Sequence, residues 1–274
     1  MNSFKESSRI AIFGVPRSGT SWLGQIFNSS PQVAYRYQPL FSYEFKDQLN
    51  QGSTKGDIKR FHNDLTSASS DFVLQSVTIS GDKGPVFSKK NVDTLVWKEV
   101  RYLNIIENLL TEDGEIKIVG IIRNPKSVIN SWYSAPKEFN KEKMNILKEW
   151  RYANKKNEGR AEEFNGYEKW KEAALLFSKL QIRYPDRFYM IHYTDLLLDT
   201  ATEVGRLFNF CNIRYTKQTA NFIVASQDTD GSKDAYSVYR KNQTDDKWKK
   251  NLPKEICVEI DKDLRDTQLM RFNR

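Results

Sequence analysis

A run of eight residues near the amino terminus, Gly14–Ser21 (GVPRSGTS), combines two glycines with one basic and three hydroxyl side chains. It nearly matches G-x-x-x-x-G-K-[ST], a loop whose backbone amides hold the phosphates of a nucleotide. Thr20 stands where that pattern has its lysine, and the basic residue is Arg17 instead. Backbone N–H groups at the start of a helix bind an anion even without that lysine. The run therefore predicts a phosphate-binding loop and argues against a triphosphate held with magnesium.

A second basic residue and a hydroxyl, Arg123 and Ser131, lie eight positions apart. Arg123 follows the apolar run Lys117–Ile122, and Ser131 lies two turns into the helix predicted after it. The rigid guanidinium fork suits a phosphate, and the hydroxyl adds a hydrogen bond. Because the carboxyl ends of neighbouring parallel strands meet in one crevice, we expect this second anion site to lie beside the first loop.

The elements that must position these residues alternate between strands and helices. Short apolar runs predict strands at Arg9–Gly14, Leu95–Lys98, Lys117–Ile122 and Phe188–His192. Apolar periodicity predicts six helices: Thr20 to about Ser29, near Tyr102–Leu110, Pro125–Ser134, Asn140–Lys156, Tyr167–Tyr184 and Thr200–Phe208. Thr200 and Glu203 look like a capping box at the start of the last helix. This order predicts an α/β, three-layer, P-loop-like fold with a central, mostly parallel sheet flanked by helices. We expect one domain over residues 1–274, with the polar stretch 227–244 as a lid or binding loop.

Composition narrows the class of protein. The 274 residues include 43 basic and 35 acidic side chains, so the net charge of +8 favours anionic partners. Cys211 and Cys257 are the only cysteines and His62 and His192 the only histidines, which excludes a disulfide scaffold and argues against a metal centre. No apolar run reaches the roughly 18 residues of a membrane span, and the first ten residues lack a signal peptide's apolar core. A cytoplasmic location is expected.

Three segments resemble the sulfotransferases that use 3′-phosphoadenosine 5′-phosphosulfate (PAPS). Pro16–Leu23 (PRSGTSWL) resembles the family's 5′-phosphosulfate loop, P-[KR]-S-G-T-[ST]-x-L. Arg123-Asn124-Pro125 through Ser131 resembles its 3′-phosphate motif, and Tyr193–Leu196 (YTDL) resembles its Tyr-Glu-Asp-Leu segment. Tyr236–Lys241 and Trp248–Pro253 look like its closing loop and last helices. The resemblance implies a soluble, bacterial-type enzyme that binds PAPS and moves its sulfuryl group in line, without a metal.

The resemblance also implies roles for individual residues. The 5′-phosphosulfate would be held by Arg17 and by the backbone and hydroxyl groups of Ser18, Gly19, Thr20 and Ser21. The 3′-phosphate would be held by Arg123 and Ser131. Trp22 and Tyr193 would approach the adenine, and Arg240 or Lys241 would close on the 3′-phosphate. Lys98, at the end of its predicted strand, is placed to assist Arg17 in stabilising the leaving phosphate.

The proton acceptor is not given by these motifs. Members that act on carbohydrates often carry a Glu just before a Pro after the first helix, where this chain has Gln38-Pro39, and an amide cannot accept the proton. Other members use a His near the position of Lys98, and this chain has none there. Glu99 is the first substitute, because it borders Lys98, followed by Glu44; His62 is a more remote option. Gln38 and Glu44 are also expected to contact the acceptor.

Tyr35–Phe41 (YRYQPLF) resembles the carbohydrate-acting members more than those acting on phenols or steroids. The expected acceptor is therefore a hydroxyl or amine on a glycan or glycolipid. Three alternatives remain: a nucleotide kinase with a phosphate loop, a family member that binds the donor but has lost activity through Gln38, and a nucleic-acid binder that uses the +8 charge. The last is disfavoured because basic residues are mixed with acidic ones throughout the chain and form no basic stripe, so no nucleic-acid partner is expected.

Overall fold

The structure is a computed structural model, and it describes residues 8–76, 85–228, 238–239 and 244–274. In these residues five strands form one sheet: β1 (Ser8–Phe13), β2 (Val33–Tyr37), β3 (Thr94–Glu99), β4 (Lys117–Ile122) and β5 (Phe188–His192). Their spatial order is β2-β3-β1-β4-β5, and every neighbouring pair is parallel. The expected α/β fold with a central parallel sheet is confirmed.

Helices cover both faces of the sheet. They are α1 (Thr20–Asn28), α2 (Lys55–Thr66), α3 (Asp71–Leu74), α4 (Ile106–Glu112), α5 (Pro125–Tyr133), α6 (Ile146–Glu149), α7 (Asn154–Asn157), α8 (Tyr167–Arg183), α9 (Tyr193–Leu198), α10 (Thr200–Cys211), α11 (Lys217–Asp228), α12 (Trp248–Asn251) and α13 (Lys254–Leu264). Short 3₁₀ helices occupy Pro39–Phe41, Leu103–Ile105 and Gln268–Phe272.

The two faces of the sheet bury two separate cores, because successive strand residues point to opposite sides. On β1, Ile10 and Ile12 face the core that includes the apolar side of α1, whereas Ala11 and Phe13 face the other. The strands are apolar on both faces, which is why they read as continuous apolar runs rather than as an alternating pattern.

One strand was not expected from the sequence: β2, which pairs with β3 at the edge of the sheet. Two expectations about helices were wrong. The helix expected over Asn140–Lys156 is instead two single turns, α6 and α7. The amino-terminal cap of α10 is Asp199, whose carboxylate accepts from the Thr202 amide, so Thr200 lies inside the helix and does not cap it.

Candidate active site

The loop between β1 and α1 approaches two neighbouring elements closely, and its glycines make this possible. A Cβ on Gly14 would lie 2.7 Å from Ile121 Cγ2 on β4. Gly19 has a φ of +96°, and a Cβ there would lie 2.5 Å from the ring of Tyr193. Either side chain would push the loop off the carboxyl ends of the strands, so both glycines are needed for the position of the loop and not only for its turn.

Two hydroxyl groups of the loop face a lysine from the neighbouring strand. Lys98 lies near the end of β3, paired in register with Ile12 of β1. Its Nζ donates to Thr20 Oγ1 at 3.4 Å and to Ser21 Oγ at 3.5 Å, and lies 4.3 Å from the centre of the Tyr37 ring. β3 thus supplies the ammonium group that the loop itself lacks at Thr20. Burial lowers the pKa of Lys98, since the side chain is 1% exposed.

Ser18 is fully buried, and its Oγ has no hydrogen-bond partner within the described part of the chain. A buried hydroxyl without a partner is costly unless a bound group satisfies it. Ser18 is the one residue of Arg17–Ser21 that does not line the cleft described below, so its hydroxyl faces the interior of the loop.

The two predicted anion sites are parts of one site. Arg17 Nε donates to Ser131 Oγ at 3.1 Å, so the first loop touches the helix of the second motif directly. Arg123 Nη1 donates to the backbone oxygen of Arg17 at 2.8 Å. The guanidinium of Arg123 also lies over the ring of Tyr193, 4.6 Å from its centre. Residues from β1, β4, α5 and α9 therefore meet at one edge of the sheet.

Carboxylates lie against both arginines. Glu138 Oε1 is 3.1 Å from Arg17 Nη1, and Asp245 Oδ1 accepts from Arg123 Nε at 2.9 Å. The Ser127 hydroxyl fixes the Asp245 segment through its backbone oxygen at 2.9 Å. Neither carboxylate was anticipated, because each lies outside the motifs, and its proximity depends on the path of a loop.

The two aromatic residues expected near the adenine form a pair. The rings of Trp22 and Tyr193 are 6.2 Å apart and inclined by 71°. Trp22 Nε1 donates to Ser226 Oγ of α11 at 3.0 Å, which satisfies the indole and fixes its plane.

These side chains line a cleft of about 390 Å³. Most of the predicted site residues line it: Arg17, Gly19, Thr20, Ser21, Trp22, Gln38, Lys98, Arg123, Ser131 and Tyr193. Among the described residues, six cationic side chains and one carboxylate line the cleft, since Arg101, Lys137, Lys156 and Glu138 complete its charged lining. Such an excess of positive charge suits a ligand with several negative charges.

The expected proton acceptors do not line this cleft. Glu99 follows Lys98 on β3 and points to the opposite face, where its Oε1 accepts from the Leu40 amide at 2.8 Å. Burial raises the pKa of Glu99. Glu44 accepts from the Ser69 and Ser70 amides at the start of α3, outside the cleft.

His62 is 1% exposed and packs in the core against Trp97. It too lies outside the cleft lining. Among the described residues, none of Glu99, Glu44 and His62 lines the cleft.

Arg240 and Lys241, expected to close on the 3′-phosphate, lie outside the described residues, as does most of the polar stretch 227–244. Where residues are described, no helix is both long and apolar enough to cross a membrane. The same residues contain no group of three or more His, Cys, Asp or Glu side chains arranged to hold a metal ion.

Comparison with known proteins identifies the family. A family model described as "Sulfotransferase domain" matches residues 7–272. No curated protein matches the chain by sequence. Among solved structures, mouse sulfotransferase SULT7A1 complexed with PAP aligns with a TM-score of 0.57 at 16% identity, covering 98% of this chain and 88% of that one.

Two bacterial structures align similarly. The sulfotransferase from Alicyclobacillus acidocaldarius has a TM-score of 0.50 at 15% identity, covering 97% of this chain and 99% of that one. The sulfotransferase domain of the Synechococcus PCC 7002 olefin synthase has a TM-score of 0.50 at 14% identity, covering 91% and 90%. At these identities the likeness concerns the fold, whereas the family model spans nearly the whole sequence. The chain therefore belongs to the sulfotransferase domain family.

Proposed function

We propose that this protein transfers the sulfuryl group of PAPS to a hydroxyl group on a glycan or glycolipid. Family membership gives the reaction class, and the PAP complex of the mouse enzyme supports the choice of donor. The observation that carries the proposal is the direct contact between the two motifs, in which Arg17 Nε lies 3.1 Å from Ser131 Oγ. A nucleotide with phosphates at both its 5′ and 3′ positions fits one cleft lined by both groups.

The residues of the cleft divide into those for the 5′ end and those for the 3′ end of the donor. Arg17, Lys98 and the Ser18–Ser21 backbone and hydroxyl groups would hold the 5′-phosphosulfate. Arg123 and Ser131 would hold the 3′-phosphate, and Trp22 with Tyr193 would contact the adenine. When bound, PAPS supplies the sulfuryl group and leaves as PAP.

Lys98 and Arg17 would stabilise the charge that develops on the leaving phosphate. Preorganised cations in a site shielded from water contribute strongly to such a step. The Lys98 ammonium is held between two hydroxyls and the face of Tyr37, so its position is fixed before a ligand arrives. Burial lowers its pKa, whereas the charges of Glu99 and, to a smaller extent, Glu138 favour the protonated form that the reaction needs.

Glu138 is the residue we propose as proton acceptor. Within the described residues it is the one carboxylate in the lining of the cleft, and it lies beside Arg17. Its carboxylate would accept the proton of the acceptor hydroxyl while the oxygen of that hydroxyl forms the new bond to sulfur. The bond between sulfur and the 5′-phosphate oxygen breaks in the same step.

Calorimetry with PAP, AMP and ATP–magnesium tests the donor assignment. PAP and AMP differ only in the 3′-phosphate, so we expect PAP to bind at least about tenfold more tightly. Ser131→Ala and Arg123→Lys should reduce this preference, because one removes the hydroxyl and the other removes the fork but keeps the charge.

Ser134→Ala is the matched control, since it removes an exposed hydroxyl just beyond α5. Equal affinities for PAP and AMP would remove the 3′-phosphate assignment. A preference for ATP–magnesium would instead favour the nucleotide kinase.

A further inference from the structure

An aromatic ring from the edge strand of the sheet packs against the lysine of the cleft. Tyr37 of β2 is paired in register with Lys98 of β3, so the two side chains point to the same face of the sheet. Tyr37 is 5% exposed and Lys98 is 1% exposed, and both line the cleft. The Lys98 ammonium lies over the face of the Tyr37 ring, 4.3 Å from its centre. The edge strand β2 therefore brings a ring face to this ammonium.

The polar contacts of Lys98 are weak for a buried ammonium. Its hydrogen bonds to Thr20 Oγ1 and Ser21 Oγ are 3.4 Å and 3.5 Å long, whereas a typical bond of this kind measures about 2.9 Å. In the described part of the chain, no carboxylate forms an ion pair with its Nζ. A buried charge needs compensation, and the face of the Tyr37 ring supplies it because that face carries partial negative charge.

Three charged groups also act on Lys98 without pairing with it directly. Burial lowers the pKa of Lys98, the charges of Glu99 on β3 and of Glu138 after α5 raise it, and Arg17 of the loop lowers it. Because burial dominates, Lys98 loses its proton more readily than a lysine at the surface. An interaction that favours the ammonium form therefore decides how much of the positive charge is present near neutral pH.

A neutral partner suits a cation that has to meet phosphate groups. A carboxylate beside Lys98 would neutralise its charge and repel the donor. The Tyr37 ring favours the ammonium but carries no net charge, so the positive charge stays available to a ligand. Arg17 and Arg123, in contrast, each lie against a carboxylate.

The Tyr37 ring is itself held in place. Phe72 of α3 packs edge-on against it, with the ring centres 5.3 Å apart and the planes inclined by 73°. The Tyr37 hydroxyl interacts with the side chains of Ser21 and Gln38, so Ser21 contacts both members of the pair. Burial raises the pKa of Tyr37 to about 12, so its hydroxyl stays protonated at neutral pH and does not serve as a base.

We propose that Tyr37 is a positioning residue whose ring keeps Lys98 protonated and directed at the donor loop. This inference rests on the proposed function, in which Lys98 stabilises the leaving phosphate. Tyr37 acts through Lys98 and needs no contact with the donor of its own. Weakening the ring face should therefore lower donor affinity mainly at a pH high enough for Lys98 to lose its proton.

The test changes the charge of the ring face and keeps its shape. Tyr37→Phe retains the face, whereas Tyr37→trifluorophenylalanine withdraws electron density from it. PAP affinity of both variants is measured by calorimetry at about pH 6 and about pH 8.5. A decrease of about one unit in the pKa of Lys98 lowers its protonated fraction about tenfold at the higher pH. We expect the fluorinated variant to bind PAP about tenfold more weakly there, and within about twofold of Tyr37→Phe at pH 6.

Tyr35 provides the matched control, because it is a second buried tyrosine on the same face of β2. It is paired with Val96 instead of Lys98, and it packs against Gly24 of α1. Tyr35→Phe and Tyr35→trifluorophenylalanine should differ in PAP affinity by less than about twofold at both pH values.

A double variant shows whether the effect depends on Lys98. In a Lys98→Met background, Tyr37→Phe and Tyr37→trifluorophenylalanine should bind PAP equally at both pH values. A tenfold difference that persists without Lys98 would show a structural effect of the ring and overturn the inference. Equal PAP affinities of the two Tyr37 variants at pH 8.5, with Lys98 present, would overturn it as well.

PAP binding by the wild-type protein separates this inference from the proposed function. A wild-type protein that does not bind PAP would defeat both. Normal wild-type binding that fluorination of the ring at position 37 leaves unchanged would defeat the role of Tyr37 alone and leave the donor site intact.

Discussion

At the scale of single residues, the charges of the cleft are set by side chains from separate parts of the chain. Arg17 comes from the loop after β1, Lys98 from β3, and Glu138 from the segment after α5. The motif predicts the first of these directly. The other two reach the site because parallel strands end at the same edge and because one loop folds back toward it.

Glu138 is the residue whose replacement tests the chemistry most directly. Glu138→Gln keeps the shape of the side chain but removes its capacity to accept a proton. We expect turnover with a glycan acceptor to fall by about a hundredfold or more, while PAP affinity is retained or increased because no carboxylate then competes for Arg17. The measurement is kcat/KM as a function of pH, because loss of the proton acceptor should also remove the fall in rate at low pH.

The two carboxylates first suggested by the sequence serve as controls. Glu44→Gln should leave kcat/KM unchanged, since Glu44 contacts backbone amides at α3 outside the cleft. Glu99→Gln keeps an oxygen for the Leu40 amide and should change stability more than the pH profile. Were Glu138→Gln to retain full turnover while Glu99→Gln lost it, the roles assigned here would be reversed.

The sequence contains enough information to predict Lys98 but not Glu138. Side chains alternate along a strand, so Lys98 and Glu99 cannot both face the loop after β1. Val96 packs in the same core as α1, and Lys98, two residues later, lies on the same face of the sheet. That argument separates the lysine from its neighbour once the strand is known. Glu138 follows α5 in a turn whose direction depends on the packing of Phe139 against Trp132, which no local pattern specifies.

At the scale of elements, α5 carries most of the proposed 3′-phosphate site, and its first turn fixes its direction. The Asn124 side chain caps the helix by accepting from the Lys126 amide at 2.9 Å, and Pro125 occupies the first helical position. Arg123 immediately precedes this cap, and Ser131 lies two turns after it. Cap geometry therefore sets the distance between the two groups.

Asn124→Ala tests this dependence. We expect a loss of about 1 kcal/mol in the free energy of unfolding, typical for a removed cap, and a weaker affinity for PAP. Urea denaturation gives the first quantity and calorimetry the second.

Asn145→Ala is the matched control, because Asn145 caps α6 by the same kind of hydrogen bond, to the Leu147 amide, away from the donor residues. It should lower stability without changing PAP affinity. The same PAP affinity in both variants would mean that the cap does not position the site.

Elements with a strong local pattern were predictable, and those fixed by long-range contacts were not. The four predicted strands are apolar on both faces and needed no partner to be recognised. β2 (VAYRY) alternates and lies at the sheet edge, so its pattern is shorter and weaker.

The helix expected over 140–156 is broken between α6 and α7 at Ala153, which has a φ of +48°. There the chain turns toward α8, and the Trp150 carbonyl accepts from the Tyr167 amide. Apolar spacing alone cannot reveal this contact between distant residues.

At the scale of the whole molecule, a buried histidine makes stability depend on pH. His62 lies on α2 beneath the sheet, 3.8 Å from Asp113 and without a hydrogen bond on either ring nitrogen in the described structure. Burial lowers the pKa of His62 to about 4, from its ordinary 6.5. Between these values the unfolded chain binds more protons than the folded one, so stability falls as the pH is lowered from about 6.5 to 4.

This effect gives a measurable prediction. Between pH 7 and pH 5 the buried histidine should reduce the free energy of unfolding by about 2 kcal/mol. His62→Phe keeps the ring contacts with Phe61 and Trp97 and should remove most of that loss, as measured by urea denaturation at both pH values. His192→Phe, at a half-buried position, should change the pH dependence less. Identical acid sensitivity in the wild type and the His62 variant would contradict the assignment.

Both guanidinium groups that would hold the donor are already neutralised by a carboxylate of the protein, Arg17 by Glu138 and Arg123 by Asp245. For the nucleotide to bind these arginines, its phosphates would therefore have to displace the carboxylates of Glu138 and Asp245, rather than neutralise arginines that have no anionic partner. If the proposed roles are right, the donor would take the place of Glu138 beside Arg17. Under the roles proposed here, Glu138 could accept a proton only after PAPS has bound. The acceptor hydroxyl would therefore be activated only when the donor is present in the cleft.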